Sequence, residues 1–264
     1  LVPLVLSIAF SFTNYDGWKT IDFVGLTNYI TLFKDSKFYL SLGRTLLYTV
    51  CTLPFRVIIP LLVAVLLCSK RVAGKSLTRT MVYIPVLMSA LVVGITINWM
   101  FSQEYGLVNF IIRSLGGTAL EWSLNPRLAT FVIAFASVWA SIGFNMILYI
   151  GGINSISNDL YEAATIDGAS GVQAFFRITV PMLAPTTFMV VLLSTVNLLK
   201  EYALVQGITQ GGPGLSTTFI IQYIFDKGFN QMQYGYASAI STVVMIIFAL
   251  IAFAQFKVNN GGET

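Results

Sequence analysis

Apolar residues run in long blocks along this chain, broken only by brief polar segments. Five blocks are long enough to cross a bilayer as helices, which takes about 20 mostly apolar residues. They cover 42–68, 81–101, 128–150, 182–205 and 236–256. A sixth, over 1–13, is shorter: Leu1 to Phe12 gives only about 18 Å of helix at 1.5 Å per residue. The chain begins with Leu, so this block reads as a truncated first span whose missing half precedes Leu1. A signal-peptide remnant is the weaker reading, because the basic n-region and the small-residue cleavage pattern are missing. The pattern predicts an all-α integral membrane protein, one domain over 1–264 with six spans.

Composition agrees. Hydrophobic residues make up 56% of the 264 residues and charged residues only 10%, against about 25% in soluble domains. So few charges cannot cover a soluble surface, and the mean hydropathy of +0.79 points the same way. There is no His, which removes most zinc sites and His-based acid–base catalysis. Cys51 and Cys68 lie in apolar runs with no metal-site spacing and read as inert thiols. The net charge of +4 is spread over the whole chain and forms no basic face for nucleic acid.

Loop charge orients the bundle. The connection 69–79 carries Lys70, Arg71, Lys75 and Arg79 and no acid, which places it in the cytoplasm. Alternation then puts 13–41, 102–127 and 206–235 outside, and 151–180 and both termini inside. Lys19, Lys34 and Lys37 lie on the outside, so the orientation rests on this one loop. Among the outer loops, Asn14-Tyr15-Asp16-Gly17 is turn chemistry. Thr27 is positioned to cap a short interfacial helix with Tyr29, Leu32 and Phe33 on one side. Gly211-Gly212-Pro213-Gly214 reads as a rigid turn. It lacks the terminal Gly-Lys-Ser/Thr of a phosphate loop, and the sequence contains no ATP site.

The cytoplasmic segment 157–185 reads as two short helices and a break. Ser157 or Asn158 caps the first, with Asp159 and Glu162 in its first turn, where the helix dipole favours acids. Leu160, Ala163, Ala164 and Asp167 share a face, and the two alanines permit close approach. Gly168 suits a left-handed helix end, and Ser170 with Gln173 fits a capping box. Phe175, Phe176 and Ile178 follow, then Pro181 and Pro185. Acidic and apolar together, this loop suits a partner protein with a basic groove, since anionic lipid would repel it.

Glu162-Ala163-Ala164, then Asp167-Gly168-Ala169, then Phe176, Ile178, Pro181, Leu183 and Pro185 resemble the EAA loop of ABC-importer membrane subunits. Phe23-Val24-Gly25-Leu26 with Asn28-Tyr29, Tyr83-Ile84-Pro85, and Gly211-Gly212-Pro213 with Thr217 resemble the carbohydrate-importer branch, so the resemblance covers nearly the whole chain. Asn158 departs from it, where relatives often have Pro. The resemblance implies a type I importer permease fold in a bacterial-type inner membrane, moving substrate by alternating access. Segment 157–180 would hold the coupling helices, with Glu162, Ala163, Ala164, Asp167, Gly168 and Ala169 docking on the motor. It implies two ATP-binding cassette subunits, which bind the ATP and Mg; this chain would bind no cofactor. It further implies a second, non-identical permease subunit and an extracytoplasmic solute-binding protein docking on 16–36 and 211–217.

Polar groups inside spans usually face a cavity. The pathway candidates are Asn98, Asn145, Asn197, Lys200, Glu201 and Tyr202. Lys200 either attracts an anionic substrate or snorkels to headgroups; on a continuous helix it and Glu201 would point about 100° apart. Trp99, Trp139 and Tyr202 either stack on sugar rings or belong to interface belts. Arg44 is placed at the outer interface, and Arg56, deeper, against protein or water. The leading function is passage of a carbohydrate, with the same machinery carrying glycerol phosphate or an amino acid as the alternative. An ion-driven carrier would need an intramembrane acid relay, and only Glu201 is available. An enzyme would be left with Ser194 and Lys200 on poorly aligned helix faces.

Overall fold

The computed structural model describes residues 2–18, 21–69 and 74–260. Lys70 and Arg71, which weigh most in the orientation, lie outside the described residues, as do Leu1 and Lys19. Among the described residues every regular element is helical: α1 Val2–Phe10, α2 Thr27–Lys34, α3 Ser36–Cys68, α4 Lys75–Leu87, α5 Ala90–Met100, α6 Leu107–Ser114 and α7 Pro126–Asn154. Then come α8 Asn158–Ile166, α9 Gly171–Ala174, a π-turn over Phe175–Thr179, α10 Val180–Met182, α11 Ala184–Leu199, α12 Ala203–Ile208, α13 Ile220–Phe225, a second π-turn over Asp226–Asn230 and α14 Tyr234–Asn260.

Among the described residues, α3, α7 and α14 are each long and apolar enough to cross a membrane alone. Two bent pairs, α4 with α5 at 101° and Gly171–Met182 with α11 at 67°, bring the number to five if each crosses as one broken span. The 81–101 block, expected as one straight span, is instead broken, because Met88 and Ser89 are both extended and no side chain caps α5. Hydropathy runs unbroken through that corner and does not reveal it.

The long helices hold the bundle together. α3 packs along α7 and α11, α4 on α7, and α1 and α2 on α14. α12 packs closely against α5. Their contact is backbone on backbone: a Cβ on Gly207 would stand 2.7 Å from the Leu91 carbonyl and 2.9 Å from the Gly94 Cα. Small residues of this kind let membrane helices approach closely where no hydrophobic drive exists. One core cluster, with Ile133, Ala136, Leu198 and Val205, fills the end of the bundle near α12; a second, with Met146, Tyr149 and Leu183, fills the end near α8.

Hydrogen bonds hold described parts of the loops at the α12 end. Asn28 Nδ2 donates to the carbonyls of Ser11 at 2.9 Å and Thr13 at 2.8 Å, tying the first loop to α2. Thr27 does not cap α2: it already lies in the helix, and its hydroxyl turns back to the Val24 carbonyl at 2.8 Å. Nor do the three apolar residues share a side, since Leu32 is fully buried against Ile240 while Phe33 is exposed. The 211–214 turn is held by Thr217, whose hydroxyl reaches the Gly212 carbonyl at 2.7 Å.

Candidate coupling and translocation sites

The first site is the helix pair between α7 and α11. Ser157 caps α8, its hydroxyl accepting from the Asp159 amide at 3.2 Å. Only Asp159 falls in the first turn; Glu162 lies one turn further on. Gly168 ends the helix at φ +76. The Ala169 amide reaches back to the Ala164 carbonyl at 2.8 Å and the Gly168 amide to Thr165 at 3.1 Å. This is the paired bonding of a Schellman end, which needs a left-handed residue at that glycine. The Ser170–Gln173 capping box then opens α9 with both reciprocal bonds made.

The pair presents its chemistry outward. Asp159, Glu162, Ala163 and Asp167 are exposed, with Ala164 and Ala169 half-buried behind them. Leu160, Val172 and Phe176 are exposed too, and Ile166 is 87% exposed. Buried apolar surface contributes about 25 cal/mol per Å², so this patch is a surface suited to a protein partner. The pair is also anchored: the Tyr161 and Thr179 hydroxyls share a hydrogen bond at 2.9 Å, joining α8 to the turn that leads into α11.

The second site is a break in the fifth span. α11 stops at Leu199, Lys200 caps it, and α12 starts at Ala203. Lys200 and Glu201 therefore do not sit on one continuous helix as expected. Non-helical backbone at membrane depth is tolerated only where protein or a cavity surrounds it. Here Glu201 turns inward, its side chain 10% exposed, and pairs with Arg56 of α3 at 3.6 Å. Arg56 also donates to the Ser137 hydroxyl of α7, so one charge pair joins three elements. The amides of Tyr202 and Leu204 face the same carboxylate.

Asn145 belongs to this buried network and not to an open surface. Pro60 has no N–H, which leaves the Arg56 carbonyl four residues back without its helical donor. Asn145 Nδ2 supplies one at 2.9 Å and also reaches the Ser194 hydroxyl at 3.2 Å. Asn98, Asn197 and Lys200 are exposed, and Tyr202 is half-buried with its ring 5.2 Å from Phe225. Arg44 sits near the α12 end and donates to the Leu215 carbonyl. A polar cavity of about 410 Å³ opens there, lined among others by Lys37, Arg44, Gln206, Gln222, Asp226 and Lys227.

The sequence reading missed one feature of that end. Asp35 accepts hydrogen bonds from the Tyr223 hydroxyl and, at 2.7 Å, from Tyr236. Burial works against its charge, but these bonds and the amides of Lys37 and Phe38 outweigh it and hold the carboxyl below its ordinary pKa. A carboxyl depressed on folding contributes stability above its unfolded pKa and loses it as pH falls through the lower folded value. Asp35→Asn is therefore expected to speed hydrogen exchange over 220–236 at pH 7, with variant and wild type converging in acid below that value. Equal rates at pH 7 would show that the cluster holds nothing.

A bundle of long apolar helices with a buried break in one of them and an exposed acidic helix pair is an architecture suited to membrane transport. The chain belongs to the family of binding-protein-dependent transport system inner membrane components, whose model matches residues 26–260. Among relatives, it is 33% identical over 257 residues to the probable ABC transporter permease protein YurN of Bacillus subtilis, covering 96% of this chain and 87% of that one. It is 32% identical to the arabinooligosaccharides transport system permease protein AraP of the same organism, over 98% of this chain and 83% of the relative. It is 33% identical to the trehalose/maltose transport system permease protein MalF of Thermococcus litoralis, over 90% and 80%. Its fold is similar to a chain of a bacterial ABC transporter that imports the acidic polysaccharide alginate, with TM-score 0.84 and 23% identity over 97% of this chain and 88% of that one. The chain is thus an importer permease of the type I fold, in the inner membrane.

Proposed function

We propose that this permease passes a carbohydrate into the cell, driven by a separate ATPase dimer that docks on 157–180. The observation that carries the docking is the exposed acidic and apolar pair α8–α9, rigidly anchored through Tyr161 and Thr179. Carbohydrate is supported by the relatives, among them permeases whose names specify arabinooligosaccharides and trehalose or maltose. ATP and Mg are bound by the ATPase, and this chain carries no catalytic residue of its own. Closure of the ATPase dimer pulls on the wedged pair and rocks the spans between inward- and outward-open states. Glu162 pairs with a basic residue of the ATPase, Ala163 and Ala164 allow close contact, and Asp167, Gly168 and Ala169 set the angle of the pair.

In this reading the docking loop and both termini are cytoplasmic. A solute-binding protein delivers sugar at the opposite end, over the polar cavity with Lys37, Arg44 and Lys227. Asn98, Asn197, Lys200 and Tyr202 line the route beside a second, non-identical permease subunit, around the break that the Arg56–Glu201 pair ties to α3. Exposed Lys200 at that break favours a sugar with acidic groups.

The test is co-purification. A tagged chain, extracted mildly, should bring an ATP-binding subunit with it, and Glu162→Lys should lose that subunit while the chain still inserts. ATPase activity of the wild-type complex should then rise with the loaded binding protein and a sugar. A chain that comes out alone, or an ATPase that answers only to a non-sugar solute, sinks the docking role or the carbohydrate reading respectively.

A further inference from the structure

A trough of about 750 Å³ runs along the outside of the bundle between α3 and α7 and shares Arg44 with the polar cavity at the α12 end. Its walls are apolar: Leu47, Phe55, Phe131 and Phe135 line it and stay exposed. From Arg44 to Ile59 it follows α3 for about 22 Å, and from Arg127 to Val138 it follows α7 for about 16 Å, at 1.5 Å per residue. One leaflet supplies half of a hydrocarbon core of about 30 Å. The trough is therefore as long as one leaflet with its headgroup layer.

Its charge is one-sided. Arg44 and Arg127 stand at the end away from the coupling pair, and among the described residues no carboxylate lines the trough. Arg44 gives one N–H to the Leu215 carbonyl and keeps the others of its guanidinium fork. The Ser216 hydroxyl, at the same mouth, is buried with no partner, and so is that of Thr52 further down, a residue only 2% exposed. Guanidiniums and a hydroxyl above an apolar slot match a phosphodiester above an acyl chain, since arginine forks suit phosphate oxygens.

We propose that this trough is a site for one phospholipid, its phosphate held by Arg44 and Arg127 and an acyl chain lying against Phe55, Phe131 and Phe135. An anionic headgroup such as phosphatidylglycerol fits the two uncompensated cations best.

The intact transporter complex, delipidated and titrated with phosphatidylglycerol, should show by native mass spectrometry one tightly held lipid per copy of this chain. Arg127→Gln should weaken that binding by about tenfold. Ala134→Trp, which fills the trough and leaves both arginines, should remove it. Arg127→Gln leaves the Arg44–Leu215 bond intact, so its result does not depend on that loop. With Cys68→Ser, a photoreactive maleimide on the exposed Cys51 in the trough should capture the lipid. Binding that ignores both substitutions, or capture of the second permease subunit in place of lipid, would overturn the proposal.

Discussion

Gly168→Val is expected to abolish ATP-driven uptake while leaving the chain inserted in the membrane. Gly168 stands at φ +76, and a Cβ there would meet nothing within 4 Å. The whole effect is therefore backbone strain and not a clash. A β-branched residue in the left-handed region costs on the order of 1–3 kcal/mol. That is too little to unfold a bundle of long helices, yet enough to undo the two bonds from Gly168 and Ala169 that end α8. Once α8 ends elsewhere, its angle to α9 changes, and with it the path by which motor closure reaches α11. Gly168→Asn, which tolerates the left-handed region far better, is expected to retain most uptake. Transport of labelled sugar by proteoliposomes containing each complex is the measurement. Full uptake in the valine variant would remove the mechanical role from this loop.

Glu201→Leu is the second large effect. It leaves the Arg56 guanidinium, 6% exposed in the middle of the bundle, without its counter-charge. Removing one partner of a buried pair costs about 3–5 kcal/mol, whereas replacing both by apolar residues is often neutral. Glu201→Leu alone should therefore lower the thermal stability of the detergent-purified complex sharply, and Arg56→Met with Glu201→Leu should recover most of it. A double variant as unstable as the single would show that the two side chains do not act as a pair. Uptake by the recovered double variant then reports whether the charge at the break is needed for transport as well as for folding.

These two sites differ in how far they were legible. The turn at Gly168 was readable because each of its parts is local: a cap at Ser157, a left-handed glycine at 168 and a Ser-x-x-Gln box at 170–173 all lie within a few residues of the backbone groups they satisfy. The details that went astray were also local. Thr27 has capping chemistry but enters its helix one residue too early, and Glu162 lies a turn beyond the position that the dipole argument gave it. The Arg56–Glu201 pair was half legible. Both charges stood out in apolar runs, and Arg56 was placed against protein or water, but the two are 145 positions apart and their pairing depends on how α3 and α11 are rotated. Asn145 misled for the same reason. A polar residue in a span suggests a cavity, and only the packing of α7 on α3 shows it serving the carbonyl that Pro60 leaves unbonded.

The sequence by itself determined that the chain is built of long apolar helices suited to a bilayer, and the shape of the 157–180 helix pair. Hydropathy and helix capping depend on near neighbours, so a single chain records most of them, to within a residue or a turn at the helix ends. The tertiary structure alone decided the corner at Met88–Ser89, the break at Lys200–Tyr202, and the hold of Tyr223 and Tyr236 on Asp35. In each case hydropathy is silent, because it counts how apolar a segment is and not which way its side chains turn. The direction is set when helices pack, and each buried polar group must then find its partner on another helix or leave an unsatisfied charge or carbonyl inside the membrane.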